Sequence, residues 1–365
     1  SIVIFDASVT FLMTKYGSCV VFMRKVLLMV GLFLSCVLFS FSQTGFRIMF
    51  YNVENLFDTI DDPLKNDDEF LPDGLMNWQP WKYWEKLRNV TRVITAIGGM
   101  HSPALVGLCE IENDSVVYDL TRRSPLRAQG YEYIVTHSPD ERGMDVALLY
   151  QRHQFNLLDK NEYEVVFSDK VVRPTRNILH AAGRIVSGDT LDVFVCHWPS
   201  RSGGQRESEP ARLDAAALLR RKVDSLFMIR KSAHVVIMGD FNDSPDDKSI
   251  FRMLKAKSLR HYRSDNELYN LFFHRLKEKD FGTYFFRGRW EVLDQFIVSG
   301  NLLREDNRIY IKGGEAHIFK PDFLLQEDKA SGIKRPCRTY YGPRYVGGFS
   351  DHLPIYIDIE INSPG

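Results

Sequence analysis

What most constrains this chain is a series of short apolar, β-branched runs, most of which end in a residue capable of chemistry. The runs are FRIMFY at 46–51, ALVGLC at 104–109, YEYIVT at 131–136, DVALLY at 145–150, LDVFVC at 191–196, HVVIMG at 234–239, VLDQFIV at 292–298 and LPIYIDI at 353–359. Runs of this length and composition predict β-strands. Two longer stretches carry apolar residues at three-to-four spacing and predict amphipathic helices. Residues 81–97 place Trp81, Trp84, Leu87, Val90 and Ile94 in that rhythm, and residues 207–230 place Leu213, Ala216, Leu219, Val223 and Leu226. Strands alternating with helices, with some direct hairpins, predict sheets covered by helices, an α/β or α+β sandwich. No break in composition divides 43–365, which reads as one domain.

The N-terminus reads differently. Met23, Arg24 and Lys25 precede VLLMVGLFLSCVLFSF at 26–41, an uncharged run, and Ser40-Phe41-Ser42 offers small residues for cleavage. That is the form of a secretory signal, and the run is short for a membrane span of about 20 residues. The expectation is an upstream extension plus signal over 1–42 and an exported product, periplasmic or secreted. A lipid anchor at Cys36 is the weaker alternative. The 47 basic and 47 acidic side chains leave no net charge, which argues against a chain that coats nucleic acid by bulk charge. Five cysteines without regular spacing form neither a disulfide framework nor a zinc site.

Polar residues cluster where the strands end. Asn52 and Glu54 follow the first run, Glu110 the second and His197 the fifth. Asp240 and Asn242 follow the sixth, Asp294 interrupts 292–298, and Ser350-Asp351-His352 opens the last. In layered α/β proteins ligands sit at strand ends, so these distant segments predict one assembled site. Carboxylates and carboxamides with few cysteines suit hard cations such as Mg²⁺, Mn²⁺ or Ca²⁺. Two histidines beside carboxylates suit proton handling near neutral pH. A metal, a water-orienting carboxylate and a cationic imidazole together are what phosphoryl hydrolysis requires.

The segments RIMFYNVENLF, LVGLCEIEN, ERGMDVALLY, VFVCHWPSR, VIMGDFND, WEVLDQFIVS and FSDHLPI, in this order from 47 to 355, resemble the endonuclease/exonuclease/phosphatase superfamily. The group includes pancreatic-type deoxyribonucleases, apurinic endonucleases, neutral sphingomyelinases and inositol polyphosphate 5-phosphatases. The resemblance implies a four-layer α/β sandwich, two face-to-face mixed β-sheets flanked by helices. It also implies roles. Glu110 is the principal Mg²⁺ ligand, with Asn52, Asp351 and Glu54 as further metal-side residues. Asp240 and Asn242 orient the attacking water and the phosphate. Asp294 holds His352, the phosphate-contacting acid/base, and His197 matches the histidine of deoxyribonuclease-like members. Arg176 matches a phosphate-contacting arginine. The implied activity is Mg²⁺-dependent phosphoester hydrolysis, with Mn²⁺ as an alternative metal. Nucleic acid is the preferred substrate; lipid headgroups, inositol phosphates and nucleotides are the alternative, and a non-catalytic binding module is the second alternative. No protein partner is expected.

Three peripheral features complete the reading. The acidic stretch 58–69 lacks the spacing of a known calcium loop and reads as a solvated loop, structural Ca²⁺ being its alternative. Residues 329–349 combine Lys329, Lys334, Arg335, Arg338 and Arg344 with Tyr340, Tyr341, Tyr345 and Phe349, and are expected to form a substrate-facing wall. Arg142, before Gly143, reads as part of a hairpin turn.

Overall fold

A computed structural model describes residues 45–169, 173–260, 264–328 and 332–362. The signal segment at 1–42 and Cys36 lie outside the described residues. In chain order the strands are β1 (Phe46–Leu56), β2 (Leu105–Ile111), β3 (Glu132–Val135), β4 (Asp145–Tyr150), β5 (Phe155–Tyr163), β6 (Ile178–Ile185) and β7 (Thr190–His197). They continue as β8 (His234–Asp240), β9 (Ala256–Ser258), β10 (Leu268–Asn270), β11 (Tyr284–Phe286), β12 (Arg289–Glu291), β13 (Asp294–Ser299), β14 (Ile309–Tyr310) and β15 (His317–Ile318). The last are β16 (Leu325–Glu327), β17 (Lys334–Pro336), β18 (Tyr340–Tyr341), β19 (Arg344–Tyr345) and β20 (Ile355–Ile361). The helices used below are α1 (Pro80–Gly98), α2 (Asp114–Tyr118) and α3 (Gln205–Ile229).

Two mixed sheets form the centre. One runs β14-β20-β1-β2-β4-β3, with β15 also on β20; the other runs β5-β6-β7-β8-β13-β10-β9. The period of two along each strand sends alternate side chains to different layers. Phe46, Ile48 and Phe50 of β1 meet Val236 and Met238 of β8 and Val193 and Val195 of β7 between the sheets. Met49, Tyr51 and Val53 point the other way, against Tyr83, Leu87, Val90 and Ile94 of α1. Val235 and Ile237 of β8 pack on Ala215, Leu219 and Val223 of α3. The result is helix, sheet, sheet, helix. Burying both faces of both sheets supplies most of the favourable free energy of such a fold, at roughly 25 cal/mol per Å² of apolar surface.

Some local readings change. Asp294 opens β13 instead of interrupting a strand, and Ser350-Asp351-His352 precedes β20 by two residues. Trp81 faces solvent and packs on Tyr345, so Tyr83 takes its place in the stripe of α1. Strands β5, β6, β9, β10, β14 and β15 of the central sheets were not expected. β5 is an edge strand whose Leu158-Asp159-Lys160 stretch is exposed, with a register shift between Leu157 and Asp159, which hides the alternation. Among the described residues no helix is long and apolar enough to cross a membrane.

Candidate active site

Strand register brings the chemistry together. β7 and β8 run parallel with His197 opposite Asp240, and β13 pairs antiparallel to β8 with Asp294 opposite Asp240. One pair earlier, Gly239 faces Cys196. A Cβ on Gly239 would lie 2.3 Å from the Cys196 carbonyl oxygen, so only glycine permits the approach that sets His197 beside Asp240. On the other sheet, irregular register follows Asn52 in β1 and Cys109 in β2. Glu54, Asn55, Glu110 and Asn242 all adopt positive φ, between 50° and 60°. Non-glycine residues in this region carry strain that the surrounding fold must hold. These kinks swing Glu110 towards the centre, where its carboxylate accepts the Asn55 N–H at 2.8 Å and Asn52 Nδ2 at 3.0 Å.

Asn52 Nδ2 also donates to Asp240 Oδ2 at 3.1 Å, while its oxygen accepts the Glu54 N–H. Its amide thus braces two carboxylates, and its oxygen is already used. Asp240 Oδ1 accepts the Asn242 N–H at 3.0 Å. Its Oδ2 lies 3.8 Å from both His197 Nε2 and His352 Nε2. His352 Nδ1 pairs with Asp294 Oδ2 at 2.7 Å. Ser350 Oγ ties the chain down by donating to Asn52 O and accepting the His352 N–H. Tyr284 bridges to His352 and lays its ring 4.7 Å from the imidazole; no sequence pattern marked it.

The two histidines differ in charge. Burial pushes His197 well below its usual pKa, and Arg176, Arg142 and His352 add to this, so it is neutral. Burial also opposes charge on His352, but Asp294 and Asp240 outweigh it and hold His352 protonated well above the usual imidazole range. Burial pushes Asp240 up to about 6.

Glu110, His197 and Asp240 place one donor atom each within 4.8 Å of one another. His197 Nε2 stands 3.9 and 3.8 Å from the two carboxylates, beyond hydrogen-bonding distance. The donors converge without closing on each other. Two carboxylates and a neutral imidazole are a fitting set for a hard divalent cation. Asp240, Asp294 and His352 form a second convergent group, but there the carboxylate of Asp294 is engaged by the His352 hydrogen bond.

Other expected site residues are held elsewhere. Glu54 accepts Arg338 Nε and the Thr339 N–H, with Lys86 buried behind it on Thr339 Oγ1 and Phe349 O; burial and Asp351 push Glu54 up to about 7. Asp351 also meets Arg338, at 3.2 Å. Neither carboxylate joins the convergent donor groups. Arg176 is 5% exposed and gives its guanidinium to Trp198 O and Asp140. The side-chain NH₂ of Asn242 likewise goes to Trp198 O, at 3.1 Å.

These groups floor a cleft of about 1160 Å³. Among its described residues, 332–349, the run expected to form a wall contributes nothing to the lining. Lys334 pairs with Asp322, Arg335 with Asp328, and the Tyr340 and Tyr345 hydroxyls bond Met76 O and Glu85. The cleft is lined by Arg142, Arg173, Arg201, Tyr284, Phe286 and Arg287. Arg142 is thus both in a turn, beside Gly143 at φ 75°, and at the cleft.

The profile of the endonuclease/exonuclease/phosphatase family matches residues 47–361. The chain belongs to the endonuclease/exonuclease/phosphatase family. None of the curated proteins matches its sequence. Among solved structures, a mannosyl-6-phosphatase of Bacteroides thetaiotaomicron is 16% identical with a TM-score of 0.53, the match covering 86% of this chain and 99% of the other. The human Nocturnin catalytic domain with bound sulfate is 16% identical, TM-score 0.51, over 88% and 96%. Truncated TDP2 of Caenorhabditis elegans is 14% identical, TM-score 0.52, over 87% and 98%. At this identity the likeness is one of fold. Together the family match and the site give a phosphoesterase fold with acidic and histidine groups able to hold a divalent metal.

Proposed function

We propose that this protein is a divalent-metal-dependent phosphoester hydrolase, using Mg²⁺ or Mn²⁺, that acts on a compact phosphate ester. The observation that carries the reading is Asp240 set between a neutral His197 and a protonated His352, with Glu110 alongside. Glu110, with His197 and Asp240 beside it, would hold the cation, which when bound polarises a phosphate oxygen and offsets charge. Asp240, fixed by Asn52 and the Asn242 N–H, aims a water and accepts its proton. His352 presents an Nε2–H to the phosphoryl oxygens as negative charge grows, and Asp294 keeps that proton in place. Strand register holds these groups before substrate arrives, so little reorganisation opposes the reaction.

For the substrate, the disposition of the cations supports a small ester over a long polyanion. No residue of 332–349 lines the cleft, and Arg173, Arg176 and Arg201 are each paired with a carboxylate. Nucleic acid is the second reading, favoured by Tyr284 and Phe286, stacked at 18° on the cleft wall with Arg287 over Phe286; such rings accept a base. Purified protein with Mg²⁺ would be tested on p-nitrophenyl phosphate, sugar phosphates, bis-p-nitrophenyl phosphate, plasmid DNA and RNA, beside Glu110→Gln. Hydrolysis of the small esters with plasmid intact is expected. Plasmid nicking that Glu110→Gln abolishes would install the nucleic-acid reading, and no turnover on any ester would sink both. We also propose export, on the strength of the apolar run behind Arg24 and Lys25; mass spectrometry of protein recovered outside the cytoplasm should show a start near Gln43.

A further inference from the structure

The loop joining β1 to α1 gathers more negative charge than its surroundings answer. Asp61, Asp67 and Asp68 each place a carboxylate oxygen within 4.8 Å of the other two. Asp67 is only 2% exposed. Its Oδ2 accepts the Asp62 N–H at 3.2 Å, but its Oδ1 is buried and has no hydrogen-bond partner. Asp58 and Glu112 stand close by, the Glu112 carboxylate accepting the Asp58 N–H. Lys65, the one basic residue in 58–69, sends its ammonium away, to Ser138 O and Asp140 O at 2.9 Å. A buried carboxylate oxygen with neither donor nor counter-ion is costly, and a cation shared among the three carboxylates removes that cost.

We propose that Asp61, Asp67 and Asp68 hold a second divalent cation, Ca²⁺, apart from the Glu110 group. The donors are all oxygens, which selects a hard cation. They sit on a surface loop with two of the three side chains exposed. That leaves room for waters and irregular coordination, which Ca²⁺ accepts and Mg²⁺, demanding near-octahedral geometry, does not. The role is structural. Fastening this loop fixes Lys65, which anchors the segment bearing Asp140, and Asp140 holds Arg176 at the cleft wall.

The test is calorimetric titration of CaCl₂ into the EDTA-treated full chain, together with thermal unfolding with and without Ca²⁺. Wild type is compared with Glu110→Gln, with Asp67→Asn, and with the double variant Asp61→Asn/Asp68→Asn, whose exposed side chains leave the fold intact. The expected result is a Ca²⁺-binding event that survives Glu110→Gln and weakens at least tenfold in the double variant and in Asp67→Asn. Ca²⁺ should raise the unfolding temperature of wild type and not of the double variant. Identical titrations for wild type and the double variant, or Ca²⁺ binding wholly lost with Glu110→Gln, would overturn the proposal.

Discussion

Replacing Asp294 with Asn probes the site through a single buried contact. Asp294 is fully buried and its Oδ2 lies 2.7 Å from His352 Nδ1. Asparagine keeps the shape and can still accept that hydrogen bond, but it removes the charge. Coulomb's law for charge centres about 4 Å apart, at an effective dielectric near 20, gives about 4 kcal/mol. Asp240, 3.8 Å from the other ring nitrogen, stays and recovers part of this, so the His352 pKa should fall towards the ordinary imidazole range. The assay is kcat/KM on a p-nitrophenyl ester from about pH 5 to about pH 10 at saturating Mg²⁺. The alkaline limb should move to lower pH, kcat at about pH 8 should fall by about 10²–10⁴-fold, and KM should change little. Stability carries the same sign. His352's folded pKa is raised above its usual 6.5, so the wild-type contribution is complete below that value and is lost as pH rises through the folded pKa. Asp294→Asn should therefore cost most in the acidic and neutral range. An alkaline limb that stays in place in a folded Asp294→Asn protein would refute the account of His352 as the protonated partner.

Three further outcomes are expected. Asp240, pushed up to about 6 by burial, must be ionised to take the water's proton. kcat/KM should fall as pH drops through about 6, and that limb should move to lower pH as metal concentration rises, since metal and proton compete for the carboxylate; a limb indifferent to metal would place Asp240 outside the metal group. Gly239→Ala puts a Cβ against the Cys196 carbonyl, so thermal unfolding should show a loss of about 1–3 kcal/mol, with kcat lowered as His197 and Asp240 part. Arg201→Ala removes the guanidinium that donates to Asn242 O at 2.6 Å and pairs with Glu291. Loosening the Asn242 turn should lower kcat on the order of 10²-fold while metal affinity, read by calorimetry, is unchanged.

The longer central strands β1, β2, β4, β7, β8, β13 and β20 and the helices α1 and α3 were legible because period-two and three-to-four patterns record which face of each element is buried. β1 and β8 show it directly, alternate side chains going to the inter-sheet core and to a helix. β5 escaped because an edge strand with one wet side needs no such pattern. Glu110, Asp240, His197, Asp294 and His352 were legible as a set because each lies at or beside a strand end, and the segments bearing them follow one another in a recognisable order.

Partners were not legible. Glu54 and Arg338 are 284 residues apart in sequence yet share an ion pair, and Glu54 stands outside the convergent group of Glu110, His197 and Asp240. Arg176 and Asn242 both spend donors on one carbonyl, that of Trp198. The basic 329–349 run looked like a wall from its composition, but Lys334, Arg335 and Arg338 pair with Asp322, Asp328, Glu54 and Asp351. By itself the sequence determined the layers of this protein and the residues at its strand ends, since burial patterns and motif order are local properties of the chain. Only the tertiary structure decided that the pKa of His197 is pushed down and that of His352 up, which acids converge on His197, and which basic side chains line the cleft. Those depend on separations of a few ångströms between distant segments, where burial and neighbouring charge set protonation.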